Sequence, residues 1–125
     1  MLLEIESILV NISDSRGRTP LYIAAHHGFD KVVKDLIKKD SIQLNAPDHI
    51  GNTPLFIASK KGHHNVVKML LKKEDIEVNQ ANSAGATPIS VAAEARNGIV
   101  VNLLLGTQEI RAVGWNGWRP IANAA

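Results

Sequence analysis

The stretch GNTPLFIASKKGHHNVVKMLLKKEDIEVNQANSAG, from Gly51 to Gly85, decides how this chain is read. It is one structural unit, and the chain repeats it on both sides. Thr53-Pro54-Leu55 has a counterpart 34 residues earlier in Thr19-Pro20-Leu21 and 34 residues later in Thr87-Pro88-Ile89. Self-similarity at a fixed period outranks other sequence signals, because it fixes the architecture.

Each unit carries the punctuation of two short helices. Asp14 to Gly17 reads as a turn, since Asp bonds its own backbone and Gly permits a positive φ. Thr19 is a natural N-cap and Pro20 suits the first helical position, where a missing N–H is harmless. The first helix is expected over about residues 20–27, with Leu21, Ala24 and Ala25 on one face. Gly28 ends it. Asp30 is expected to cap a second helix over about residues 31–39, with Val32, Val33, Leu36 and Ile37 inward and Lys31, Lys34, Lys38 and Lys39 outward. The second unit repeats this with Thr53, Pro54, Gly62, Val66, Val67, Leu70 and Leu71. The third loosens: Asn82 replaces Asp, Arg96 stands where the stopping Gly was, and Asn97-Gly98 are expected to make the turn. Val100, Val101, Leu104 and Leu105 fill its second helix.

A period of 34 is shared with tetratricopeptide repeats, so the residues decide. The pattern D-x-x-G-x-T-P-L-x-I-A, a later Gly, V-V-K and a closing Asn recur in register in two consecutive units. That pattern resembles the ankyrin repeat family over almost the whole chain. The resemblance implies an all-α solenoid of stacked helix-turn-helix units joined by hairpin-like loops. The units are a partial repeat at 1–13, repeats at 14–47 and 48–81, a divergent repeat at 82–113 and a partial repeat at 114–125. In this reading residues 114–118 make another turn tip, and Leu2, Leu3 and Ile8 at one end and Ile121 at the other keep unit-like apolar character. The chain is then a piece of a longer array, or begins with a half repeat. Its ends are expected to fray or to stack molecules end to end.

The family geometry implies that tips and first helices line a concave surface that binds a protein partner, with no chemistry of its own. Carried over residue by residue, that surface comprises Ser15, Arg16, Arg18, Tyr22, His26 and His27 in the first unit. The second contributes His49, Ile50, Asn52, Phe56, Lys60 and Lys61, and the third Ala84, Ala86 and Glu94. Trp115 and Trp118 complete it at the last tip. The family often has His after Thr-Pro-Leu; Tyr22 and Phe56 depart from this and are expected to act as aromatic anchors. Tyr, Trp and Arg dominate interface energies. The basic end of the surface suggests a protein partner with an acidic segment. Asn45 and Asn79 match family positions that stabilise the inter-repeat loop and are in some members hydroxylated.

Other readings are weaker. The convex lysines, among them Lys34 and Lys68, offer nucleic acid or acidic lipid a stripe, but Asp35, Glu74 and Asp75 interrupt it, so a solvated face is favoured. Adjacent His26-His27 and His63-His64 point apart on helices, which disfavours a metal site; His63 is read as turn packing. Asn11-Ile12-Ser13 matches a glycosylation sequon without a signal peptide to give it meaning. No cofactor or catalytic motif is recognisable: there is no Cys, no phosphate loop and no nucleophile elbow. No apolar run is long enough to span a membrane. An intracellular location, cytoplasmic or nuclear, is expected. A targeting or regulatory segment of a larger enzyme or channel is the alternative role. The net charge of +2 is compatible with acidic partners.

Overall fold

The computed structural model describes residues 9–116, with side chains through Thr107. Leu9 and Val10 are helical, and six helices follow among the described residues: α1 (Pro20–His27), α2 (Asp30–Ile37), α3 (Pro54–Lys61), α4 (His64–Leu71), α5 (Pro88–Glu94) and α6 (Gly98–Asn116). There is no strand among the described residues. Helices α1, α3 and α5 pack side by side as one layer, and α2, α4 and α6 as a second. The all-α stacked architecture expected from the sequence is the one observed.

The first helices start and stop as their residues dictate. Thr19, Thr53 and Thr87 hold extended backbone, and each Oγ1 accepts from the backbone N–H three residues on. A Pro follows each cap. At Ser90 the side chain also accepts from the Thr87 N–H at 2.9 Å, closing a capping box. Gly28 and Gly62 stop α1 and α3 at φ of 71° and 76°. The N–H groups of Phe29 and His63 then reach back to the carbonyls of Ala24 and Ala58, each at 2.9 Å.

The core runs through both layers. Leu21, Ala25, Val33, Ala58, Val66, Val67, Leu70, Val100 and Leu104 have no exposure at all. Ser59, at the Ala25 position of its unit, is equally buried and donates its hydroxyl to the Leu55 carbonyl at 2.7 Å. The loops are tied by asparagines. Asn45 accepts from the Glu77 N–H and donates to the Asp75 carbonyl, both at 2.8 Å, and Asn11 makes the same pair of bonds with Gln43 and Ser41. Those bonds give Asn11 and Asn45 their places at the ends of their units.

Several expectations need correction. Asp30 is the first residue of α2 rather than its cap; Phe29 holds the cap position without a side-chain bond, and α2 ends at Ile37. Val32 is 46% exposed, whereas its counterpart Val66 is fully buried under the preceding unit. Leu105 is likewise exposed, because no described residue stacks beyond it. Arg96 does not hand its turn to Asn97-Gly98: it takes the left-handed conformation itself at φ 58°, and Gly98 opens α6. Finally, α6 continues through Gly114 and Trp115 to Asn116, where the repeat pattern leads one to expect a loop and a tip. The physical reason lies in what this segment lacks. The second unit leaves its helix with Ile76 and Val78 buried in the core and Asn79 closing the loop; the matching end of the third, residues 106–113, has no Asn. Met1 to Ile8 and Gly117 to Ala125, including Leu2, Leu3, Trp118 and Ile121, lie outside the described residues.

Two substitutions test this packing in urea unfolding. Leu70→Ala opens a cavity in the fully buried core and should lower stability by about 2–5 kcal/mol. Arg96→Gly should raise it by about 0.5–1 kcal/mol, the left-handed penalty of a side chain less the entropy of glycine. A destabilised Arg96→Gly would contradict the strain reading.

Candidate partner-binding cleft

Each tip is built by one side chain. The Asp14 carboxylate accepts from the N–H groups of Arg16 and Arg18, both at 2.9 Å. Asp48 does the same for Ile50 and Asn52, and the Asn82 amide oxygen for Ala84 and Ala86. Asn retains this role because one acceptor oxygen is all the turn needs. Successive tips then bond to each other: the His49 N–H donates to the Arg16 carbonyl at 2.9 Å, and the Ser83 N–H to the Ile50 carbonyl at 2.8 Å. Close approach demands the glycines. A Cβ on Gly17, at φ 80°, would sit 2.6 Å from the His49 ring.

Between the first two tips and helices α1 and α3 this leaves a cleft of about 350 Å³. It gathers ten of the residues expected at a binding surface: Ser15, Arg16, Arg18, Tyr22 and His26 from one side, His49, Ile50, Asn52, Lys60 and Lys61 from the other. Asp48 and Ile57 also line it and were not foreseen. Asp48 holds the position that Asp14 has in the first unit, and a turn carboxylate between tips faces the cleft. Ile57 carried no signal beyond its repeat position.

The other expected residues lie elsewhere. His27 is exposed at the end of α1, stacked on Phe29 with ring centroids 5.3 Å apart. Ala84, Ala86 and Glu94 sit on the third unit, outside the cleft. Trp115 falls at the end of α6, and Trp118 lies outside the described residues. Phe56 is 3% exposed and Tyr22 5%, so neither presents a ring to a partner as an anchor. The position after Thr-Pro-Leu packs within the stack; only Tyr22 borders the cleft.

Charge in the cleft is strongly one-sided. Arg16, Arg18, Lys60 and Lys61 oppose the single carboxylate of Asp48. Arg18 pairs with Asp14 through Nε at 2.8 Å, both side chains about one-third exposed to solvent. Backbone donation from Arg18 and Arg16, with that guanidinium alongside, holds the Asp14 carboxyl below its usual value. Burial, and then the adjacent Asp48 carboxylate, push the Tyr22 phenol up to about 12. Burial also lowers His26, and Lys61, His27, Arg18 and His63 add to the effect. His26 Nδ1 is buried without a hydrogen-bond partner. His63 has the packing role expected of it: its Nε2–H donates to the His26 carbonyl at 3.0 Å, and its ring covers Gly28.

No group of His, Asp or Glu among the described residues could hold a metal ion, and no described helix is long and apolar enough to cross a membrane. The convex lysines Lys34 and Lys68 are exposed, with Asp35, Glu74 and Asp75 exposed among them.

Comparison with known families fits this geometry. A family model described as ankyrin repeats (3 copies) matches residues 1–82 and 41–113. The chain therefore belongs to the ankyrin repeat family. Ankyrin repeats are generally protein–protein interaction modules and typically non-catalytic. Comparison with curated proteins finds no match.

The chain has one tyrosine, so its ionisation can be followed alone by ultraviolet absorbance. Folding favours the neutral phenol. Its contribution to stability is complete below the unfolded value of about 10 and is lost as pH rises toward 12. The native protein should titrate near 12 and the urea-unfolded chain near 10. A native midpoint at 10 would show the phenol to be solvated.

Proposed function

We propose that this chain is a protein-recognition module that holds an acidic segment of its partner in the cleft between the first two tips. The observation that carries this reading is the charge imbalance. Four cationic side chains line a space with one carboxylate, three of them outside the Arg18–Asp14 pair, within hydrogen-bonded walls that hold their positions. Among the described residues, Arg16, Lys60 and Lys61 make no ion pair, so their charge is available to a ligand. A partner carboxylate there meets Arg16 and Arg18 from one unit and Lys60 and Lys61 from the next. Such complementarity raises association rate and selectivity more than it raises bulk affinity. Tyr22 and Ile57 supply the apolar floor. The acidic partner and the use of this cleft go beyond what membership of the family implies.

The test is an affinity enrichment with the parent chain beside Lys60→Glu/Lys61→Glu, after circular dichroism shows both to be folded. Both lysines are exposed at the end of α3, so the fold should tolerate reversal. The parent should retain a partner that the variant loses, and the parent complex should weaken steeply with salt. A partner held equally by both proteins would move the site away from the cleft.

A further inference from the structure

One histidine in the cleft is set apart. His26 lies at the C-terminal end of α1, half-buried, with Nδ1 sealed from solvent and unpaired. A neutral ring with its proton on Nε2 leaves Nδ1 as an unsatisfied acceptor; a protonated ring leaves it as a charged donor with nothing to receive it. Both states are unfavourable in the free protein, the charged one more so. The groups around His26 explain why. Arg18 and Tyr22 come from its own unit, with His27 beside it at 4.7 Å between ring centroids. Lys61 of α3 and His63 of the turn after α3 act on it, while Lys60, Asp48 and His49 line the same cleft. The cations outnumber the lone carboxylate, so the local potential opposes a proton.

A carboxylate entering the cleft reverses that balance. Resting on the reading just given, we propose that His26 is a specificity-determining residue of the cleft: it takes up a proton when an acidic segment binds and donates to the bound carboxylate. The added cation then has the counter-charge it lacked, and it donates through Nε2, because Nδ1 is sealed from the ligand as it is from solvent. Neutral segments offer no such exchange. The depressed basicity of His26 in the free protein is consistent with this, because it keeps the site unprotonated until a ligand arrives. Recognition of acidic segments is therefore coupled to pH in the range where histidine titrates. Binding tightens as pH falls from 7.5 to 6.0, while the ligand carboxylates, at about 4.3, remain ionised. A shift of one unit in the His26 midpoint corresponds to a gain of up to about tenfold in affinity.

The experiment uses the whole chain and a blocked hexaglutamate peptide. Titration calorimetry at pH 6.5 in two buffers of different ionisation enthalpy counts the protons taken up. The parent should bind with net uptake, tighten by about three- to tenfold between pH 7.5 and 6.0, and show the His26 imidazole midpoint rising on peptide addition by NMR. His26→Gln should lose the uptake and the tightening. His64→Gln, exposed and outside the cleft, should keep both. The NMR readout on the parent keeps the test valid if His26→Gln folds poorly. Binding without proton uptake, or uptake that survives in His26→Gln, overturns this inference and leaves the acidic-segment reading in place. No peptide binding at either pH overturns both.

Discussion

No unit of this chain can bury its own apolar face. Ile57 is 4% exposed beneath the preceding unit, while Ile23, at the same position one unit earlier, is 38% exposed. The sequence at the two positions is the same, so the difference belongs to the neighbour. Stability in such a stack is a sum of units and the interfaces between them. The interior interfaces, around Leu55, Val66, Val67 and Leu70, are complete. The face formed by Ile23, Phe29 and Val32 is not covered to the same extent. Every other feature depends on those interior interfaces, because they hold adjacent tips in register.

The cleft is a consequence of that register. Asp14 and Asp48 are consumed in shaping their turns, each accepting two backbone N–H groups. Hydrogen bonds from one tip to the next then fix the width of the space between them. Because the acids serve the backbone while the bases project from the tips and from the end of α3, the scaffold itself separates charge. Lys60 and Lys61 in the last turn of α3 also suit the negative end of its dipole, so they serve the helix as well as the cleft.

Much of this was legible in the sequence. The starts of α1, α3 and α5 followed from Thr-Pro, two of the helix stops from Gly, and the repeat period gave the stacking. The tip residues of the first two units could be placed by register alone, since Asp14 and Gly17 bracket one tip and Asp48 and Gly51 the other. What was not legible depended on neighbours or on local exceptions. Burial of Tyr22 and Phe56 follows from stacking, which hydropathy cannot assign to an inner or outer face. Arg96 keeps the geometry of a glycine without being one, so its left-handed turn is visible only in the backbone. The continuation of α6 to Asn116 reflects a missing closing Asn, an absence that a repeat alignment passes over. The unpaired nitrogen of His26 has no sequence signal, because it arises from packing around a single atom.

The central claim is that acidic ligands are read by the cleft and not by the lysines of the second helices. The most direct measurement is an NMR titration of the ¹⁵N-labelled chain with a glutamate-rich peptide, mapped residue by residue. The account predicts that the largest shifts fall on Arg16, Arg18, His49, Ile50, Lys60 and Lys61. Shifts concentrated on Lys34, Lys38, Lys68 and Lys72, with the tips unmoved, would contradict it.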